Sequence, residues 1–245
     1  MRIIIPSRRR VALCGKALKL FPSAAVCVDE AEAEDYAVLD AEIITHPSSV
    51  AGIGPLRQWI LDNVTEETVF MVDDDVSHLR MNAGRTTAAA TVVDPEIALQ
   101  MVKNAARIAR GLGTCVFGFS QHSGDVRKFH PQNPFSLNNW VGGAIGIIGR
   151  ELRYDTSLKL RADIDYCLQA LLKYRCVFVD ERCAMMHQRF NNTGGNAHMR
   201  SGERNERELA YLKNKWGQHL EIRRSKKGLN LSIRVQRTQR VMIVS

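Results

Sequence analysis

Five strand-favouring residues, Thr68-Val69-Phe70-Met71-Val72, run without a break into three adjacent carboxylates, Asp73-Asp74-Asp75. Three neighbouring negative charges repel one another unless something positive sits among them. A strand apolar enough to be buried, ending in charge, places that charge at the C-terminal edge of a sheet. In open α/β sheets this is the edge where ligands bind. Hard oxygen donors there suit Mg²⁺ or Mn²⁺, ions that usually also hold substrate phosphates. Alternate side chains of an extended segment point the same way, so Asp73 and Asp75 are expected to face one site and Asp74 another. The plain alternative is a solvated acidic turn or a helix-capping cluster. An ordinary turn carries one or two acids and rarely follows five apolar residues so tightly.

Other short apolar runs fit the same sheet. Arg2 to Ile5 ends at Pro6, Ala25 to Val28 ends at Asp29-Glu30, and Glu42 to Thr45 forms a third run. Strands spaced this way, with helical segments between them, predict a mixed, mostly parallel sheet covered on both faces. At 245 residues the chain suits one α/β domain with appendages better than two full domains. No apolar run approaches the roughly 20 residues that cross a bilayer. The opening Ile3-Ile4-Ile5 returns at once to charge in Arg8-Arg9-Arg10, which reads as a strand and loop rather than a signal peptide, so a cytosolic protein is expected. The six scattered cysteines form no CxxC pair, so neither a zinc knuckle nor a redox motif is supported.

Two helices can be placed well. One is expected to open at Gly54-Pro55, with Leu56, Trp59 and Ile60 on one face. The other opens at Asp94-Pro95, carries Ile97, Met101, Val102, Ala105 and Ile108 as its apolar stripe, and ends at Gly111. In the second half, Cys115 to Phe119, Ala144 to Ile148 and Cys176 to Val179 read as strands. Gln121 to Asn139 reads as a long loop. Ile164, Cys167, Leu168, Leu171 and Leu172 keep helical spacing. Asn191 to Gly202 is rich in Gly and Asn and reads as mobile, and Glu203 to Trp216 reads as a helix. The expected division is a catalytic domain over 1–220 and a basic extension over 221–245.

Further residues could complete a site around the triplet. Asp163 and Asp165 open a helix, where one Asp is easily explained as a cap and two less so. A carboxylate held there can also act as a general base. His187 follows Ala184-Met185-Met186 and precedes the Gly/Asn-rich stretch. It is either a structural histidine or an imidazole that completes a metal shell. Gly52 and Gly54 precede a helix N-terminus that could receive phosphate, or they make a plain turn. Arg57, one turn in, could pair with a diphosphate or lie on the surface. Gly142 and Gly143 at a strand start permit close approach by a ligand, or a bulge.

Together these residues resemble the GT-A glycosyltransferases: a nucleotide-binding α/β half, a DxD-type motif at Asp73-Asp74-Asp75, an acidic helix start at Asp163-Ile164-Asp165, and a late histidine at His187. More closely, the chain resembles the TET-associated glycosyltransferases of phage DNA hypermodification gene sets. Ile5-Pro6-Ser7-Arg8, the Gly52-Ile53-Gly54 loop before Arg57, Val72-Asp73-Asp74-Asp75 and Asp163-Ile164-Asp165-Tyr166 carry this. The resemblance implies a nucleotide-sugar donor, with a UDP-sugar preferred, and Mn²⁺ or Mg²⁺ held by Asp73, Asp75 and His187. It implies donor contacts from Pro6, Ser7, Arg8, Asp29 or Glu30, Arg57, Asp74, Gly143, and the Asn192-Thr193-Gly194-Gly195 loop. It implies a hydroxymethylated pyrimidine of DNA, such as 5-hydroxymethylcytosine, as acceptor, and the cytoplasm of a bacterium or phage-infected host as the location. Ala162 stands where many GT-A enzymes have Glu, which leaves the catalytic base between Asp163 and Asp165, with Asp163 preferred.

The formal charge of +8 is consistent with a polyanionic partner. Arg223, Arg224, Lys226, Lys227, Arg234 and Arg237 are candidate DNA contacts, or else a solvated basic tail. Three competing readings share parts of this pattern. They are a glycosyltransferase with a protein, lipid or glycan acceptor, a metal-dependent phosphoryl- or nucleotidyl-transfer enzyme, and a non-catalytic DNA-binding module. The last fits worst, because acids facing DNA repel its phosphates.

Overall fold

The computed structural model describes residues 1–82, 90–120, 130–187, 202–225 and 228–235. Strands β1 (Arg2–Pro6), β2 (Ala25–Asp29), β3 (Ile43–His46) and β4 (Thr68–Val72) alternate with helices α1 (Val11–Leu20), α2 (Ala33–Tyr36) and α3 (Ile53–Asn63). There follow β5 (Val76–Asn82), β6 (Ala90–Val92), α4 (Pro95–Gly111), β7 (Val116–Ser120), β8 (Phe135–Ser136), β9 (Ala144–Ile148), α5 (Ala162–Tyr174), β10 (Phe178–His187), α6 (Gly202–Trp216), β11 (Leu220–Ser225) and β12 (Gly228–Ile233).

The main sheet is ten-stranded in the order β3-β2-β1-β4-β9-β7-β10-β5-β6, with β8 paired to β10. Strands β3, β2, β1 and β4 are mutually parallel, and β9 runs against them. Strand β7 returns to the first direction and pairs parallel with β10. The sheet is therefore the mixed, mostly parallel one expected from the sequence. The chain leaves β1 toward β3 on one side and comes back to β4 on the other. The C-terminal ends of β1 and β4 thus flank a topological switch point, where a crevice opens.

The two-residue period of the strands divides the core. Ile3, Ile5, Val26, Val28, Phe70 and Val72 pack on one face with α1 and α4. Ile4, Cys27, Val69 and Met71 pack on the other with Ile60, Leu61, Ile164 and Leu168. Strands β2, β4 and β7 are buried along their whole length, which is why they read as continuous apolar runs.

Several local expectations are corrected. Helix α3 starts at Ile53 and buries Arg57 and Gln58 beside Ile60 and Leu61, so Pro55 lies inside the first turn rather than at its first position. Helix α4 turns Ala98, Val102, Ala105, Ala106 and Ala109 to the sheet and leaves Ile97 47% exposed. Small side chains let the helix lie close to the sheet, and the larger Met101 and Ile108 fill its margins. Asp94 stands at the cap position without a side-chain capping bond. Strand β10 is a single element from Phe178 to His187, where two separate apolar runs were expected. Its register against β7 shifts between Asp180 and Ala184, and it continues antiparallel to β5. The stretch 130–139 holds the short strand β8, and the rest of the expected loop, 121–129, lies outside the described residues. The expected mobile stretch lies outside them too, apart from Gly202, which begins α6.

The expected boundary at 220/221 falls inside β11. Strands β11 and β12 form an antiparallel two-stranded sheet. Leu220, Ile222, Leu231, Ile233 and Val235 pack on the second core with Trp216. The described part of the basic tail is therefore a hairpin seated on the domain. Of its cations, Arg223 and Arg234 pair with Glu221, and Arg224 pairs with Glu206. Lys226, Lys227 and Arg237 lie outside the described residues. No helix among the described residues is long and apolar enough to cross a membrane.

Candidate active site

Strand β4 delivers the triplet to the switch point, and the three carboxylates divide there. Asp74 is buried; the Ser7 hydroxyl donates to it at 2.7 Å and the Arg10 guanidinium at 3.0 Å. The Tyr36 hydroxyl meets Ser7 Oγ at 2.7 Å and accepts from the Arg10 amide at 3.0 Å. Asp74 thus fastens the end of β1 to the end of β4. Burial pushes its carboxyl up to about 6, against the pull of Ser7 and Arg10. Arg10 and Tyr36 were not picked out from the sequence. The signal for Arg10 was the Arg8-Arg9-Arg10 run one residue past the first strand; Tyr36 had none.

Asp73 and Asp75 are turned toward the crevice, where β10 brings His187 to them. His187 Nδ1 lies 2.9 Å from Asp75 Oδ1. Ligand atoms of Asp73, Asp75 and His187 all lie within 4.8 Å of one another. Gly143, in the left-handed region at φ +60°, makes this approach possible. A Cβ there would lie 2.8 Å from His187 Nε2 and 3.4 Å from Asp73 Oδ2. Two carboxylates and an imidazole around a cradle that a side chain would fill suit Mn²⁺ or Mg²⁺ in donor type.

Arg57 is 1% exposed and joins two carboxylates from different elements. It contacts Asp73 at 3.2 Å and is in direct contact with Asp163 of α5. Burial opposes its charge, but Asp163 and Asp73 outweigh this and hold the guanidinium above its ordinary value. Burial also raises the Asp163 carboxyl, with Arg57 pulling the other way. Asp163 and Asp165 do not cap α5; its cap position is Arg161, without a side-chain bond. Asp165 is fully buried and faces α6. It accepts from Gln169 at 2.7 Å and Trp216 Nε1 at 2.9 Å, and pairs with Lys215 at 2.7 Å. The structure therefore brings Asp163 to the triplet and ties Asp165 into the scaffold.

Two cavities meet at this point, with Asp73 and Ile53 lining both. The first is lined by the ends of β1 and β2 (Pro6, Ser7, Arg8, Asp29), by His46 and Gly52, and by the triplet. Asp29 accepts from Ser48 Oγ and from the Ala31 amide at 3.0 Å, contacts that hold it below the usual carboxylate value although burial acts against them. Glu30 accepts from the Ser48 amide at 3.1 Å and does not line the cavity. Arg8 lies 3.8 Å from Glu32. Gly52 has φ +98°, and the Ile53 amide at the start of α3 donates to Lys159 O at 3.0 Å, so that amide is engaged by the chain itself. The second cavity is lined by Arg57, Asp163, Trp140 and Arg161, with residues from α6 and β12. Asn192 and Gly194 lie outside the described residues.

Paired carboxylates, a histidine and a buried arginine thus gather at the switch point of a mixed α/β sheet. The match to known proteins says which glycosyltransferases the chain belongs with. The chain belongs to the TET-associated glycosyltransferase family, whose model matches residues 1–195. Among solved structures it is similar to S. aureus TarS 1–349, at 14% identity and TM-score 0.43, over 73% of this chain and 58% of that one. It is similar to the same TarS fragment in complex with UDP, at 16% identity and TM-score 0.45, over 73% and 57%. It is also similar to UDP-glucose pyrophosphorylase complexed with UDP-glucose, at 10% identity and TM-score 0.42, over 87% and 98%. The chain thus spans 58% of the length of the TarS 1–349 chain. No match was found among curated proteins.

Proposed function

We propose that the chain transfers a sugar from a nucleotide-sugar donor, preferably a UDP-sugar, to a hydroxymethylated pyrimidine of DNA, and that it depends on Mn²⁺ or Mg²⁺. The observation that carries this reading is the meeting of two cavities at Asp73, with Asp75, His187 and Asp163 gathered around it. Asp73, Asp75 and His187 would hold the ion, which when bound supplies Lewis-acid neutralisation of the leaving diphosphate.

In this reading the first cavity takes the nucleotide. Pro6, Ser7 and Arg8 border it, and Asp29 stands ready to accept from a ribose hydroxyl. Glu30 supports the Ser48 turn beside Asp29. Asp74 keeps the ends of β1 and β4 together, and Gly143 leaves room for the diphosphate side of the site. Arg57 acts as a positioning residue for Asp163 and Asp73 rather than as a diphosphate clamp. Asp163 accepts the proton of the acceptor hydroxyl as its oxygen bonds to the sugar carbon and the nucleoside diphosphate leaves. Burial raises its proton affinity, which suits a base working near neutral pH. The transferase unit in this proposal runs through the β11–β12 hairpin.

The test offers UDP-sugars and Mn²⁺ to the protein, with and without DNA containing 5-hydroxymethylcytosine, and reads the DNA nucleosides by mass spectrometry. A hexose-sized or N-acetylhexosamine-sized mass gain is expected, and it should be lost in Asp75→Ala. Release of nucleoside diphosphate without a DNA adduct would move the acceptor to a protein, lipid or glycan. Release of pyrophosphate would replace sugar transfer with nucleotidyl transfer.

A further inference from the structure

The second cavity encloses about 520 Å³, within the range of small-molecule sites. It opens on the Asp163 side of Asp73, opposite the chamber formed by the ends of β1 and β2. Two of its walls have different origins. Trp140, Arg161 and Asp163 lie within the matched family region, which ends at residue 195. Asn205 of α6 and Leu231 of β12 lie beyond it. Leu231 is brought there by the hairpin, whose apolar side chains anchor on the second core. Trp140 is half-buried, its ring edge standing against Gly142, which also borders Asp163. The Asn205 side chain, also half-buried, makes no hydrogen bond to another described residue.

Resting on the reading above, we infer that this chamber receives the acceptor base. The extruded pyrimidine stacks on Trp140, Asn205 reads its hydrogen-bonding edge, and Leu231 limits its size. A base inside a duplex cannot reach Asp163, so it must leave the stack, and flipped bases are held by aromatic faces and by contacts to their pairing edge. An amide offers one donor and one acceptor side and so tolerates both cytosine-type and uracil-type edges. Asn205 and Leu231 lie outside the family match, so the edge-reading and size limit they supply come from the C-terminal module, while Trp140 and Asp163 of the matched region supply the stacking face and the base.

The test uses the full chain with a UDP-sugar, Mn²⁺, and oligonucleotides carrying one 5-hydroxymethylcytosine or one 5-hydroxymethyluracil. Trp140→Ala should raise the oligonucleotide KM about tenfold or more, and Trp140→Phe should recover most of that loss. Asn205→Asp removes the donor side that meets cytosine N3 or uracil O4, so the preference between the two bases should move at least fivefold. Leu231→Trp should raise the oligonucleotide KM with little change in the donor KM. Asn205→Asp lies at a partly exposed helix position, so it keeps the idea falsifiable if Trp140→Ala fails to fold. If the wild type modifies DNA but Asn205→Asp leaves the base preference within twofold, and a folded Trp140→Ala leaves the oligonucleotide KM within twofold, the chamber assignment is overturned. If the wild type hydrolyses donors but accepts no DNA base, the assignment also falls while glycosyl transfer stands. No turnover of any nucleotide sugar would instead overturn the functional reading beneath it.

Discussion

Arg57 shows how a single residue can decide whether a set of carboxylates works as a unit. It is buried, and its two partners come from α5 and from the end of β4. Removing one member of a buried ion pair leaves the rest uncompensated, so Arg57→Met should lower stability by about 3 kcal/mol or more in denaturant titrations. Arg57→Lys keeps the charge but is a single point that cannot bridge both acids. It should fold and still lose at least about tenfold in kcat/KM; wild-type kinetics would remove the positioning role. Asp163 and Asp165 make a second pair of contrasts. Asp163→Asn should cut turnover by about 10² or more while the fold survives. Asp165→Asn should instead lower stability by about 1–3 kcal/mol, because it weakens bonds to Trp216 and Lys215, and should keep turnover in the folded fraction. The opposite pattern would move the base to Asp165. None of these roles was fully legible in the sequence. Arginine is rarely buried without partners, and its partners here are 16 and 106 residues away along the chain.

At the level of elements, the β4 run and its acids were readable because a strand buried on both faces leaves an unbroken apolar signature. Strand β10 was harder. Asp180, Glu181 and Arg182 interrupt its apolar run where the register shifts, so its two halves looked separate and the path of His187 to the triplet was hidden. The β11–β12 hairpin was obscured by its charge. Its period-two apolar residues, Leu220 and Ile222, then Leu231 and Ile233, were the available signal, masked by the arginines between them. Helix α6 is held to the turn before α5 by Asp155, which accepts from Lys215 at 2.8 Å, Tyr211 at 2.7 Å and Ser157 Oγ at 2.6 Å. Burial alone would raise the Asp155 carboxyl, but these partners hold it well below its ordinary value of 3.8. With the folded value depressed, the unfolded state binds the proton more readily. The contribution is present in full above the ordinary carboxylate value and is lost as the pH falls from there toward the depressed folded value. Asp155→Asn should therefore cost about 1–3 kcal/mol at pH 7, and its stability should fall less steeply than that of the wild type below pH 5. Parallel pH profiles for the two proteins would contradict this.

For the whole molecule, the β11–β12 hairpin is paired antiparallel and packs its apolar side chains on the second core. Ending the chain at residue 219 strips Leu220, Ile222, Leu231, Ile233 and Val235 from the second core. At about 1.5–3 kcal/mol for each fully buried aliphatic side chain, the loss should exceed about 3 kcal/mol, and the truncated chain should melt early or aggregate. An unchanged melting curve would return the hairpin to the status of an appendage. The architecture then reads as one sheet with two chambers at its switch point, one bounded by the first strands and one closed by the C-terminal module.

The most direct test of this account is the sugar-transfer rate followed against Mn²⁺ concentration in the wild type, Asp75→Ala and Asp163→Asn. The account predicts saturable activation of the wild type, loss on chelation with recovery on adding the ion back, and no activation of Asp75→Ala at any concentration. Asp163→Asn should still bind Mn²⁺ in a direct titration while turning over slowly. Transfer that survives chelation and is unchanged in Asp75→Ala would contradict it.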